Sequence, residues 1–147
     1  MIMLPDFNSR GDLPPGVYLV ALEEIIDRFG DRHPQRQEMT QRLSRIHQLA
    51  QGTGSVQHFL LFGSYVTDKE MPNDVDIVLI MQDNFRIEDC PENVVSLFDH
   101  EQADRDLGAS IFWIRPSLLI LETLDEFITH WQVKRDGTKR GIVEIVL

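Results

Sequence analysis

The segment Leu61-Phe62-Gly63-Ser64, followed closely by Asn73-Asp74-Val75-Asp76-Ile77, constrains this chain more than any other feature. Both halves sit in short apolar runs, Val56 to Phe62 and Asp74 to Met81, bounded by Gly, Pro and Asn, which is the signature of strands. In an extended strand the residues at i and i+2 share a face, so Asp74 and Asp76 are expected to point the same way, roughly 7 Å apart. At an effective dielectric of about 20 their repulsion costs about 2 kcal/mol. Val75, Ile77, Val78, Leu79 and Ile80 mark the second run as buried, so two acids within it call for a counter-charge. Hard divalent cations with oxygen ligands supply one, and Mg²⁺ bridging carboxylates to substrate phosphates is the commonest arrangement. The pattern predicts a metal–nucleotide site.

The rest of the chain organises around these two strands. Residues 1–16 read as an extended lead-in punctuated by Pro5, Pro14, Pro15 and Gly16. Residues 17–52 read as a helical part. Leu19, Leu22, Ile25, Ile26 and Phe29 recur at helical spacing up to Gly30, and Met39, Leu43, Ile46 and Leu49 form a second stripe opening near Pro34. Residues 56–147 read as the sheet-containing core. A helix from Pro91 carries Val94, Val95, Phe98 and Ala103 inward and closes at Gly108. A strand spans Ala109 to Ile114, a capping box at Thr123–Glu126 opens a last helix through Trp131, and a final strand covers Ile142 to Leu147. The expected class is α+β: one domain over 1–147, with a small mixed sheet flanked by helices.

Charge and cysteine content narrow the function classes. With 147 residues, 42% of them hydrophobic, the chain can build a core. No apolar run approaches the roughly 20 residues that span a bilayer, Met1 to Gly16 lacks the apolar core of a secretory signal, and cytoplasmic residence is expected. Cys90 is the single cysteine, which excludes an internal disulfide. The five histidines show no metal-ligand spacing, so zinc is not expected, although His58 lies on the strand that enters Gly63. The formal charge is −10, and Thr67 to Asp106 alone holds twelve acids against three bases, a net −9. Such a surface repels polyanions, which favours a protein or small-molecule substrate over nucleic acid. Arg32, Arg36, Arg42 and Arg45 read as a solvated helix face. Lys134 to Arg140 reads as a turn tip whose bases could also meet a phosphate tail.

Gly63-Ser64 by itself is an ordinary strand-to-helix turn; beside two carboxylates it becomes a phosphate-holding turn. Asp74 has an alternative as a loop cap next to Asn73, whereas Asp76, inside Val-Asp-Ile-Val-Leu-Ile, has none. An apolar strand ending in Gly-Ser, a spacer of about ten residues and Asp-x-Asp on a second strand resembles the nucleotidyltransferase superfamily related to DNA polymerase beta. The chain as a whole resembles a group of small, single-domain nucleotidyltransferase-like proteins through Leu13-Pro14-Pro15-Gly16 and Gly141-Ile142-Val143-Glu144-Ile145.

The resemblance implies that Asp74 and Asp76 hold Mg²⁺ and act in catalysis, while Gly63 and Ser64 grip the phosphates of ATP or another nucleoside triphosphate. It further implies transfer of a nucleotidyl group to an acceptor hydroxyl, with a small helical protein as partner; a homodimer is expected only because two-fold dimers are the commonest oligomers. The sequence departs from that pattern where a third carboxylate belongs, on the strand Gly108 to Trp113. Ser110 stands at that place, and a neutral hydroxyl is a poor Mg²⁺ ligand and no base at neutral pH. Asp106, Glu122 and Glu144 are the possible substitutes. The usual second glycine after the serine is absent from Tyr65-Val66-Thr67-Asp68. The alternative expectation is therefore a catalytically degenerate protein serving as a nucleotide sensor or a toxin–antitoxin-like interaction module.

Overall fold

The computed structural model describes residues 4–30 and 33–147, so Met1 to Met3 of the expected lead-in and Arg32 of the early basic cluster lie outside the described residues. The chain order is β1 (Val17–Val20), α1 (Leu22–Phe29), α2 (Pro34–Thr53), β2 (Val56–Phe62), β3 (Asp76–Met81), α3 (Glu92–Val95), α4 (His100–Leu107), β4 (Ser110–Ile114), α5 (Leu124–His130) and β5 (Ile142–Ile145). The strands form one mixed sheet in the order β1-β5-β2-β3-β4. β1 runs parallel to β5 and β3 to β4, while β2 is antiparallel to both β5 and β3. The fold is α+β, as the sequence implies. No helix among the described residues is long and apolar enough to cross a membrane.

The sheet's two faces differ in what covers them. Phe59, Leu61, Ile77, Leu79, Ile111, Val143 and Ile145 pack with Ile25 and Phe29 of α1, Met39, Leu43 and Ile46 of α2, and Leu107 of α4 in the main core. The alternate residues Leu60, Val78, Ile80 and Ile142 face the other way and pack under Ile128 of α5. β3 is thus buried on both faces from Ile77 to Met81, which is why it reads as an uninterrupted apolar run.

Three expectations are corrected. The helical part at 17–52 begins with a strand: Val17 to Val20 pairs with Ile142 to Ile145, and Leu19, assigned to the inward helical stripe, is 48% exposed. Val-Tyr-Leu-Val is rich in strand formers, and pairing with the last strand satisfies a backbone that a helix would have satisfied locally. The single helix expected from Pro91 to Gly108 is broken at Asp99. Its side chain caps α4 by accepting from the Gln102 N–H at 3.0 Å, and it holds an extended φ of −121° to do so. Of the early arginines, Arg36 departs from the expected solvated face, being buried, 3% exposed, among backbone carbonyls, whereas Arg45 is exposed and Arg42 pairs with Glu38 at the surface.

The two end motifs form one unit. The Gly141 N–H donates to the Leu13 carbonyl at 2.8 Å and the Ile142 N–H to the Gly16 carbonyl at 3.0 Å. Gly141 has no room for a side chain, since a Cβ there would stand 2.9 Å from the Leu13 Cβ and run into the Pro14 carbonyl. The lead-in and the closing strand are adjacent parts of the sheet's β1–β5 edge.

Candidate functional site

β2 ends beside the start of β3, Phe62 opposite Asp76, and the chain leaves β2 through Gly63. Gly63 holds φ +81° and ψ −165°, a region essentially confined to glycine. A Cβ added there would overlap the Asp76 carboxylate and lie 2.9 Å from its Cγ. The glycine therefore serves two purposes: it makes the turn, and it lets a backbone lie directly against a carboxylate. The helix expected after Ser64 is one 3-10 turn, Ser64–Val66, with Val66 and Thr67 N–H groups already bonded to the carbonyls of Gly63 and Ser64. It is too short to present a useful dipole.

Asp76 opens β3 on the α5 side of the sheet and is half-buried. Its carboxyl is pushed up to about 6, first by burial and then by repulsion from Asp74, with Arg140 pulling it back down. Asp74 does not share the strand with it. β3 begins two residues later, and Asp74 is exposed in the preceding coil, outside the cavity lining. The reason is local: β2 ends at Phe62, opposite Asp76, so Asp74 has no partner on that side. The two acids still sense each other's charge. Ser110 lies directly opposite Asp76 in the parallel β3–β4 register, at the place where the resemblance calls for a third acid. None of the possible substitutes lines the cavity around Asp76. Asp106 pairs with Arg105, Glu122 with His130, and Glu144 with His58 at 2.7 Å.

Around Asp76 opens a cavity of about 740 Å³, lined by Gly63, Ser64, the aromatic rings of Phe62, Phe112 and Trp131, and the cations Lys69, Lys134, Arg135 and Arg140. Trp131 packs against the smaller core cluster and also lines the cavity, with ring centroids 4.8 Å from Phe62 and 5.4 Å from Phe112. The basic segment after α5 folds back as a turn, bridged between Val133 and Lys139, and supplies three of the four cations. Its sequence signal was the Lys-Arg-Asp-Gly-Thr-Lys-Arg run; nothing local says that it returns to β3.

Arg36 holds the loop that forms the cavity's other side. Its guanidinium donates to the carbonyls of Tyr65 at 2.8 Å, Thr67 at 2.6 Å and Lys69 at 3.0 Å, and to Phe29 at 3.2 Å. A buried planar donor fork thus fixes the path from Ser64 to Lys69. The histidines are accounted for locally. His33 caps α2 by accepting from the Gln35 N–H, and His47 lies edge-on to Phe59. His58 pairs with Glu144, His100 meets the Ile111 carbonyl, and His130 pairs with Glu122. Among the described residues no group of three His, Cys, Asp or Glu side chains is placed to hold a metal by itself. A divalent ion here would take Asp76, with Asp74 near it, and fill its remaining positions with substrate oxygens and water, as Mg²⁺ characteristically does.

Residues 5–146 match a family described as a family of unknown function, DUF6932. The chain belongs to that family. No curated protein and no solved structure matches it. The two end motifs and the Gly63–Asp76 junction all fall within the family's span.

Proposed function

We propose that the chain binds a nucleoside triphosphate together with Mg²⁺ in the Asp76 cavity, as a minimal nucleotidyltransferase-like protein residing in the cytoplasm. The observation that carries this reading is the backbone of Gly63 lying against the Asp76 carboxylate in a cavity rimmed by four cations. A carboxylate set among cations, next to a side-chain-free turn, suits a substrate that brings both a hard cation and an anionic chain. Mg²⁺, when bound, would neutralise the phosphates and polarise the phosphorus under attack. Asp76 and Asp74 would hold it. Gly63 and Ser64 would border the phosphate tail, and Trp131 and Phe112 offer an apolar surface for the rest of the nucleotide.

Transfer of a nucleotidyl group to a protein or small-molecule hydroxyl is the activity that this arrangement would support, with pyrophosphate leaving. Deprotonating the acceptor is the weak point, since Ser110 opposite Asp76 cannot take a proton at neutral pH. That single observation favours the second reading, a degenerate member that senses the nucleotide or engages another protein, as a homodimer or beside a small helical partner. Calorimetric titration of ATP with and without Mg²⁺, into wild type and Asp76→Asn, tests the first claim. Mg²⁺-dependent binding lost in the variant supports the site. The absence of binding by any nucleoside triphosphate removes it. Ser110→Asp then separates the two readings: label transferred from α-labelled nucleotide only by the variant marks a site that has lost its base.

A further inference from the structure

The four cations of the cavity are not equivalent. Lys134 Nζ lies 3.2 Å and Arg140 Nη1 3.7 Å from the carboxylate of Asp12, which is 4% exposed. Asp12 is itself fixed through its backbone, bridged to Thr67 and donating to Asn8 Oδ1 at 3.1 Å. The lead-in is thereby wedged between the Ser64–Lys69 loop and the basic turn. Lys69 and Arg135, by contrast, are exposed, and no carboxylate among the described residues pairs with either. Asp136, the other acid of the lining, has its Oδ1 occupied by the Thr138 N–H at 2.9 Å and hydroxyl at 2.6 Å.

We infer that Lys69 and Arg135 form a metal-independent subsite for the terminal phosphates of a polyphosphate chain, while Asp12 keeps Lys134 and Arg140 engaged and out of that subsite. The assignment rests on the reading of this cavity as a nucleoside triphosphate site. An anion that engages Lys69 and Arg135 breaks no existing ion pair. Recruiting Lys134 or Arg140 would strip a buried carboxylate of its partners, which is strongly unfavourable. Arg135 can fork onto two phosphate oxygens while Lys69 acts as a point charge. Asp12 also withholds positive charge from the cavity, so the site discriminates by reach and geometry instead of attracting any anion.

Calorimetric titration of inorganic tripolyphosphate into the full chain, with chelator present and no metal, tests this directly. Wild type should bind. Lys69→Ala and Arg135→Ala, both at exposed positions, should each weaken binding about tenfold, and the double variant about a hundredfold. Asp12→Asn should lower the melting temperature yet tighten tripolyphosphate binding and steepen its salt dependence, because two cations are released toward the anion. A purely structural Asp12 would only loosen binding, and that result overturns its part of the inference. Metal-free binding that is absent, or that the double variant leaves unweakened, overturns the subsite. The two readings fail separately. If tripolyphosphate binds with this residue dependence but no Mg²⁺–nucleotide does, the nucleotide reading falls and the subsite stands. If Mg²⁺–nucleotide binding needs Asp76 but ignores both cations, the subsite falls alone.

Discussion

At the scale of single residues, Gly63 and Asp76 form one coupled unit. Gly63→Ala meets two penalties, a backbone region that L-residues avoid and overlap with the Asp76 carboxylate. It is expected to cost about 2–4 kcal/mol in urea melts. If the overlap contributes, Asp76→Ala in the same chain should return at least about 1 kcal/mol of that loss in a double-mutant cycle. Asp76 also carries a pH signature. Its carboxyl titrates near 6 in the fold and near 3.8 unfolded, so between those values the folded state holds the extra proton. Stability contributed by this group therefore falls as pH rises from about 4 to about 6 and stays reduced above that. Asp76→Asn removes the ionisation and should stabilise the chain by about 1–2 kcal/mol at pH 8, after allowing for solvent screening, and by little at pH 4. Denaturant melts at the two pH values read this out. Mg²⁺ needs the ionised form, so metal-dependent nucleotide affinity should run the opposite way and fade as pH drops through about 6.

At the scale of elements, the cavity depends on how three separate segments are held: the Ser64–Lys69 loop, the basic turn and the lead-in. Arg36 on α2 holds the first of them through three of its carbonyls, Tyr65, Thr67 and Lys69, and donates as well to Phe29 of α1. Arg36→Met keeps most of the packing volume and removes the donors. Leaving those carbonyls without the guanidinium should cost about 3–5 kcal/mol, with faster amide exchange from Ser64 to Lys69 as the local mark. The same elements show what was legible in the sequence. β2 has the bounds expected of it, Val56–Phe62, because an apolar run between Gly54 and Gly63 has only one sensible reading. α2 and the Thr123–Glu126 capping box of α5 were readable for equally local reasons, namely Pro34 at the start of one and the reciprocal cap of the other. β1 was not, because Leu19, Leu22, Ile25 and Ile26 imitate a helical stripe while the partner that makes a strand of Val17–Val20 lies at the far end of the chain. The site was half legible. Gly63, Ser64 and Asp76 meet as their spacing implies, whereas Asp74 falls off the strand. Lys134 to Arg140 was readable as a basic turn, but its engagement of Asp12 was not, because that contact joins residues 122 positions apart.

At the scale of the molecule, charge decides what can approach. The chain carries −10 overall, yet its main cavity is lined by four cations and two acids, Asp76 and Asp136. The acids between Asp83 and Asp106 are all exposed and belong to the segment from the end of β3 through α4. A small anion carries a compact charge, and salt screens the field of exposed acids beyond about 8 Å. A polynucleotide meets that field, since it extends its phosphates over many such lengths, and it gains affinity only where several are neutralised together. Short single-stranded RNA or DNA should therefore give no anisotropy change at physiological salt, under conditions where a Mg²⁺–nucleoside triphosphate binds. Lowering the salt should not rescue binding, because the repulsion from the acidic surface grows as screening weakens. Binding that instead strengthens steeply at low salt, with a slope of about 4 or more in log K against log salt, would make nucleic acid the acceptor. It would also mean that the basic turn, not the acidic surface, sets the molecule's effective field.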